Sequence, residues 1–122
     1  MKYLLLLNND ARDVETWYRL SPEESAKARA EEIPRWNDLF GWIGEQGIEC
    51  SGLELEDPAK GRVVRVRDGE TMVTDGPFTE TKELLGGYFL ADCKDLDQAI
   101  ALAERVPLVS RGSVEIRPLV QT

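Results

Sequence analysis

The chain opens with apolar residues that do not alternate: Tyr3-Leu4-Leu5-Leu6-Leu7 follows Lys2 and runs up to Asn8-Asn9-Asp10. An unbroken apolar run of this length predicts a strand, Lys2 to Asn8, that is covered on both faces and is therefore central in its sheet. The Asn and Asp side chains behind it bond readily to their own backbone and end it. A helix start follows at Ser21-Pro22-Glu23-Glu24. Ser21 is placed to cap, Pro22 fits the first turn without losing a needed donor, and Glu24 completes a capping box.

Behind that start, Ala26, Ala30, Ile33, Trp36, Phe40 and Ile43 recur at steps of three or four, with Leu39 and Trp42 widening the stripe late. This is the pattern of a helix with one apolar face. Pro34 interrupts it, and because a proline inside a helix costs roughly 3 kcal/mol, a kink or a restart is expected there. Gly47 is placed to end the helix.

Ile48 to Leu55 reads as a strand, and 56–61 as a loop. Arg62-Val63-Val64-Arg65-Val66-Arg67, then Asp68-Gly69, then Glu70 to Thr74, is a hairpin pattern, with β-branched residues on both arms of an Asp-Gly turn. Gly87 to Cys93 is a further apolar strand. Asp95 caps a second helix with Gln98 in the box position, Pro107 marks its end, and Ser113 to Val120 alternates as a last strand. The order β-α-β, hairpin, β-α-β predicts an α+β fold: two split βαβ units in a ferredoxin-like antiparallel sheet, both helices on one face, with an added hairpin. Leu4 to Leu7 and Tyr88 to Ala91 are apolar on both faces, so the uncovered face is expected to meet a second copy, giving a homodimer with face-to-face sheets.

Composition adds exclusions. At 122 residues the chain is the size of one domain. Fifteen Lys and Arg against 23 Asp and Glu give a formal charge of −8, which repels phosphate backbones and argues against direct nucleic-acid binding. The apolar run after Lys2 is too short for a signal segment or a membrane span, so the cytoplasm is the expected location. Cys50 and Cys93 have no CxxC spacing and are expected as reduced, half-buried thiols. The chain has no histidine, which rules out a Ser-His-Asp or Cys-His mechanism within it and removes the commonest ligand of catalytic metals.

The stretch from Thr74 to Glu83 concentrates the remaining chemistry. Gly76 permits a bend and Pro77 rigidifies it, so Asp75 is held beside Phe78, where desolvation would raise its pKa and suit it to act as a general base. The alternative is that Asp75 caps the turn through an Asx-type hydrogen bond. Lys82 is placed to neutralise a bound anion, or to pair locally with a Glu. Arg65, Arg67, Glu115 and Arg117 alternate with apolar residues and share the face away from the helices if their strands are neighbours. Trp36 and Trp42 have core spacing, whereas Trp17, beside Tyr18, is free to cover a pocket mouth.

These segments together resemble the YCII-related superfamily, specifically its DGPF-domain proteins. The resemblance rests on the opening strand Met1 to Leu6, on Ser21-Pro22-Glu23-Glu24, and on Val73 to Glu83 with its Asp75-Gly76-Pro77-Phe78 core. Leu85-Gly86-Gly87-Tyr88, Asp95 to Ala99 and Gly112 to Pro118 follow in order. It implies a ferredoxin-like fold that dimerises as an α/β barrel. It also implies that some relatives are enzymes using an Asp-His pair, among them a dehydrochlorinase of aromatic degradation, and the fold is similar to that of muconolactone isomerases. DGPF members are similar to proteins encoded beside sigma factors, which implies a regulatory association. Where the paired members place their His, just after the Pro that starts the first helix, this chain has Glu23, Glu24 and Ser25, so the pair does not carry over.

Two functions follow. One is a cytoplasmic homodimer that binds a small, anionic metabolite or a regulatory protein, with Arg65, Arg67, Lys82, Tyr88, Arg117 and Phe78 as binding residues. The other is a lyase or isomerase in which Asp75 moves a proton, a step that needs no cofactor.

Overall fold

In the computed structural model, which describes residues 1–76 and 81–121, the chain runs β1 (Lys2–Asp10), α1 (Ala11–Tyr18), α2 (Pro22–Glu45), β2 (Glu49–Glu54), β3 (Arg62–Arg67), β4 (Glu70–Asp75), β5 (Glu83–Asp92), α3 (Leu96–Glu104) and β6 (Ser113–Pro118). The main sheet has the order β2-β5-β1-β6, and every neighbouring pair is antiparallel. That is the ferredoxin-like arrangement the pattern predicts, with β1 inside. β3 and β4 form a separate two-stranded sheet.

The pleat sorts the apolar run of β1 onto two faces. Tyr3, Leu5 and Leu7 point into the core with Phe89 and Ala91 of β5, Leu39 and Ile43 of α2, Ala99, Leu102 and Ala103 of α3, and Val106. Leu4 and Leu6 point the other way, opposite Leu90 and Tyr88 on β5, and Tyr88 in turn lies opposite Leu53 on β2. These residues are outside the core; four are half-buried and Leu53 is exposed. Arg117 and Glu115 share that face, opposite Leu4 and Leu6.

The helix ends follow their local chemistry. The Glu24 amide donates to Ser21 Oγ, and the Ser21 amide donates to Glu24 Oε1, so the capping box is complete. The far end of α2 closes with Gly47 at φ +67, its amide donating to the Gly44 carbonyl and the Ile48 amide to that of Ile43. This is a Schellman turn with two buried isoleucines across it. Pro34 lies inside α2, which continues through it as one helix rather than restarting. Pro34 has no amide to give to the Ala30 carbonyl, and it lies in the half of α2 that buries nothing; the two buried residues, Leu39 and Ile43, come later.

Two elements depart from the sequence expectation. Asn8-Asn9-Asp10 continues β1 to Asp10, whose carboxylate accepts the Arg12 amide and caps α1, an extra helix. β5 begins at Glu83 rather than Gly87 and carries a bulge: Leu7 faces Gly87 while Asn8 faces Leu85, which leaves Gly86 unpaired in that ladder. Among the described residues no helix is long and apolar enough to cross a membrane.

Candidate functional site

Because only the second half of α2 is seated on the sheet, its first half and α1 stand over the sheet as a roof with a space beneath. The resulting cleft has a volume of ≈ 860 Å³, within the usual range for small-molecule sites. Leu7, Gly52, Gly86, Gly87 and Phe89 form the floor, Val14 and Trp17 of α1 and Ile33, Trp36 and Phe40 of α2 the roof, and Leu55, Leu108 and Gly112 the ends.

The bulge and the glycines make this floor. A Cβ on Gly52 would run into the carbonyl oxygen of Tyr88 and the ring of Phe89, so only glycine allows β2 to lie so close to β5 here. With side chains missing along the floor, the aromatic residues meet across one corner. Trp36 and Phe40 have ring centroids 6.2 Å apart, and Phe89 stands edge-on to both at 6.4 and 6.3 Å. Phe40 is nevertheless half exposed, because one of its faces looks into the cleft. Such a corner offers a flat, apolar guest both stacking and edge contacts.

The mouths are charged and held in pairs. At one, Arg29 Nη1 donates to Glu54 Oε2 at 2.9 Å while its guanidinium lies 5.2 Å over the Trp17 ring. The hydrogen bond that Arg29 gives to Glu54 raises the Arg29 pKa above its ordinary value. Beside it, burial and then the carboxylates of Asp57, Glu54 and Glu56 push the Tyr18 hydroxyl up, so it stays protonated. At the other, Arg111 Nη2 donates to Asp13 Oδ1 at 2.6 Å. Asn9 and Asn37 add amide groups to the lining. A second hollow, of ≈ 340 Å³ between Arg35, Asp38 and Glu104, has no aromatic wall.

The residues singled out from sequence mostly lie elsewhere. Asp75 ends β4 with its side chain 86% exposed and pairs with Arg62 Nε at 3.4 Å across the root of the hairpin. Neither Asp75 nor Lys82 lines the cleft; Lys82 is exposed, and its carbonyl accepts the Ala11 amide. Arg65 and Arg67 are on β3, apart from the main sheet, so they do not share a face with Glu115 and Arg117. Those two do lie together, 3.7 Å apart. Tyr88, between Leu6 and Leu53 on the sheet, is among the residues that line the cleft, and Phe78 lies outside the described residues. Trp17, in contrast, is at a cleft mouth as expected.

Cys50 and Cys93 are free, and burial raises both thiols, which keeps them protonated and poor nucleophiles. Among the described residues no three Cys, Asp or Glu side chains converge as they would around a metal ion. Sequence reasoning missed Arg29, Phe40 as a lining residue, and the floor glycines. The signal for the roof was there: Asp10 as a cap, Asp13 in the first turn, and Val14, Trp17 and Tyr18 at helical steps.

Fold and cleft together define a small ferredoxin-like α+β protein with an aromatic pocket between its helices and its sheet. The chain belongs to the YCII-related domain family, whose model matches residues 1–122. It is similar to an uncharacterized protein of Rhizobium meliloti (strain 1021), 53% identical over 125 residues that cover 98% of this chain and 92% of the relative.

Proposed function

We propose that the protein is a homodimer that binds a small, flat, largely apolar metabolite with one anionic group in the cleft beneath α1 and α2. The observation that carries this reading is the ≈ 860 Å³ space with Trp36, Phe40 and Phe89 in edge contact at its corner. Burial of a planar ligand there replaces exposed aromatic surface with stacking, and Arg29 at the mouth supplies a cation for the anionic end. Dimerisation would cover Leu4, Leu6, Tyr88, Leu90 and Leu53, an apolar patch on the open sheet face. Two free thiols fit a reducing, cytoplasmic setting.

The lyase or isomerase reading gains no support from Asp75, whose carboxylate is in solvent and paired with Arg62. A general base needs a substrate held within hydrogen-bond reach, and the cleft's lining does not include it.

The test is titration with 1-anilinonaphthalene-8-sulfonate, a flat, anionic probe, read by its fluorescence and by energy transfer from Trp17 and Trp36. The Phe40→Ala variant should fold, since Phe40 is half exposed, and should bind the probe about 10-fold more weakly, the loss of one aromatic contact. Equal binding by the two proteins would place the ligand elsewhere.

A further inference from the structure

The β3–β4 hairpin is a second feature that the cleft does not use. Its strands pair from Arg62↔Asp75 to Arg67↔Glu70 around Asp68 and Gly69, whose φ values of 52 and 76 are those of a type I′ turn. Val64 and Val73 face each other across the ladder and are 62% and 59% exposed, and Val66 beside them is 58% exposed. An isolated two-stranded hairpin is marginal in water at best. Three valines on one exposed face of a hairpin outside the main sheet mark a surface made to be covered.

Area and charge identify what covers it. The stretch over which all four strands pair is about six residues long and presents a footprint of about 400 Å². A stable interface removes about 800 Å² from each partner. The sheet face alone falls short by about half. A hairpin of two six-residue strands has a footprint of about 200 Å², and in a two-fold pair each copy both gives one arm and receives one, which supplies the missing area. The arm is also electrically suited to an acidic neighbour: across 62–75, Arg62, Arg65 and Arg67 balance Asp68, Glu70 and Asp75 to give zero, while the whole chain carries −8.

We infer that the β3–β4 hairpin is a dimerisation arm whose Val64, Val66 and Val73 face packs on a second copy of this chain. The inference rests on the homodimer in the proposed function and adds the element that completes its interface. The Arg62–Asp75 pair at the root gives Asp75 a role in setting the angle at which the arm leaves the body.

The test pairs two measurements on the full chain. Val64→Lys with Val73→Glu places opposite charges directly across the hairpin, which preserves the arm while making its face polar. Sedimentation equilibrium should show the dimer dissociation constant rising by about 10-fold or more, with an unchanged far-ultraviolet spectrum. In the wild-type protein, hydrogen exchange of the β3 and β4 amides should slow as protein concentration passes through the dimer's dissociation constant. An unchanged dissociation constant, or arm exchange independent of concentration in a protein that dimerises, would overturn the arm while leaving the sheet-face dimer standing. A wild-type chain that stays monomeric would overturn both, and probe binding in the cleft would be unaffected by either result.

Discussion

Arg29 holds three contacts in balance: a hydrogen bond to Glu54, a ring face of Trp17, and a position at the mouth of an aromatic cleft. Its guanidinium is committed to a partner that is itself exposed, so the pair is weak and exchangeable. Glu54→Gln keeps the side chain's shape and removes the competing charge. The anionic naphthalene probe should then bind about 2- to 5-fold more tightly, the value of an exposed ion pair, and the gain should shrink in high salt. Unchanged affinity would mean that Arg29 does not meet the ligand. At this scale the sequence was least legible. Arg29 is one of ten arginines in the chain, and only the folded positions of Glu54 and Trp17 distinguish it. Asp75 is the opposite case: its sequence context marks it out, yet it ends a hairpin strand that stands apart from the main sheet.

The elements are legible in the sequence wherever local chemistry decides them. Ser21 and Glu24 cap α2 reciprocally, Asp95 accepts the Gln98 amide to start α3, and Asp68-Gly69 turns the hairpin. The first of these can be probed by pH. The hydrogen bonds that Ser21 gives the Glu24 carboxylate lower its pKa below the ordinary 4.5. A depressed carboxyl stabilises the folded state above its unfolded value and loses that contribution as pH falls through its folded value. Ser21→Ala should therefore cost about 1 kcal/mol near neutral pH, from the lost cap, and the thermal-melting gap between the two proteins should narrow below pH 4.5. A gap that holds constant down to pH 2.5, well under the carboxylate range, would show that the Ser21 hydroxyl does not act on the carboxylate, whose bond from the Ser21 amide survives the substitution. The helix α1 is hidden in the sequence because Asn8-Asn9-Asp10 reads as a stop for the strand. Asp10 in fact serves both as the last residue of β1 and as the cap of the next helix.

For the whole molecule, strand order followed from the alternation of elements, since two split βαβ units have few ways to lie in one sheet. The cleft did not follow. It exists because α2 is anchored at one end only and because the floor lacks side chains, and neither fact is a periodicity. The bulge at Gly86 is the part of that floor with the most specific consequence. An extra residue in a strand ordinarily exchanges inside for outside along everything beyond it, but here Leu7 faces Gly87 and Asn8 faces Leu85, so the strand keeps its phase only by skipping Gly86. Removing Gly86 would join those two pairs into an unbroken ladder and leave every other residue of β5 on the side it already occupies. The deletion should therefore give a protein that folds and straightens its strand, with naphthalene-probe affinity falling while the melting temperature holds. The chain would lose its hollow without losing its frame, and folding and binding would be shown to have been written into the same strand as separable instructions.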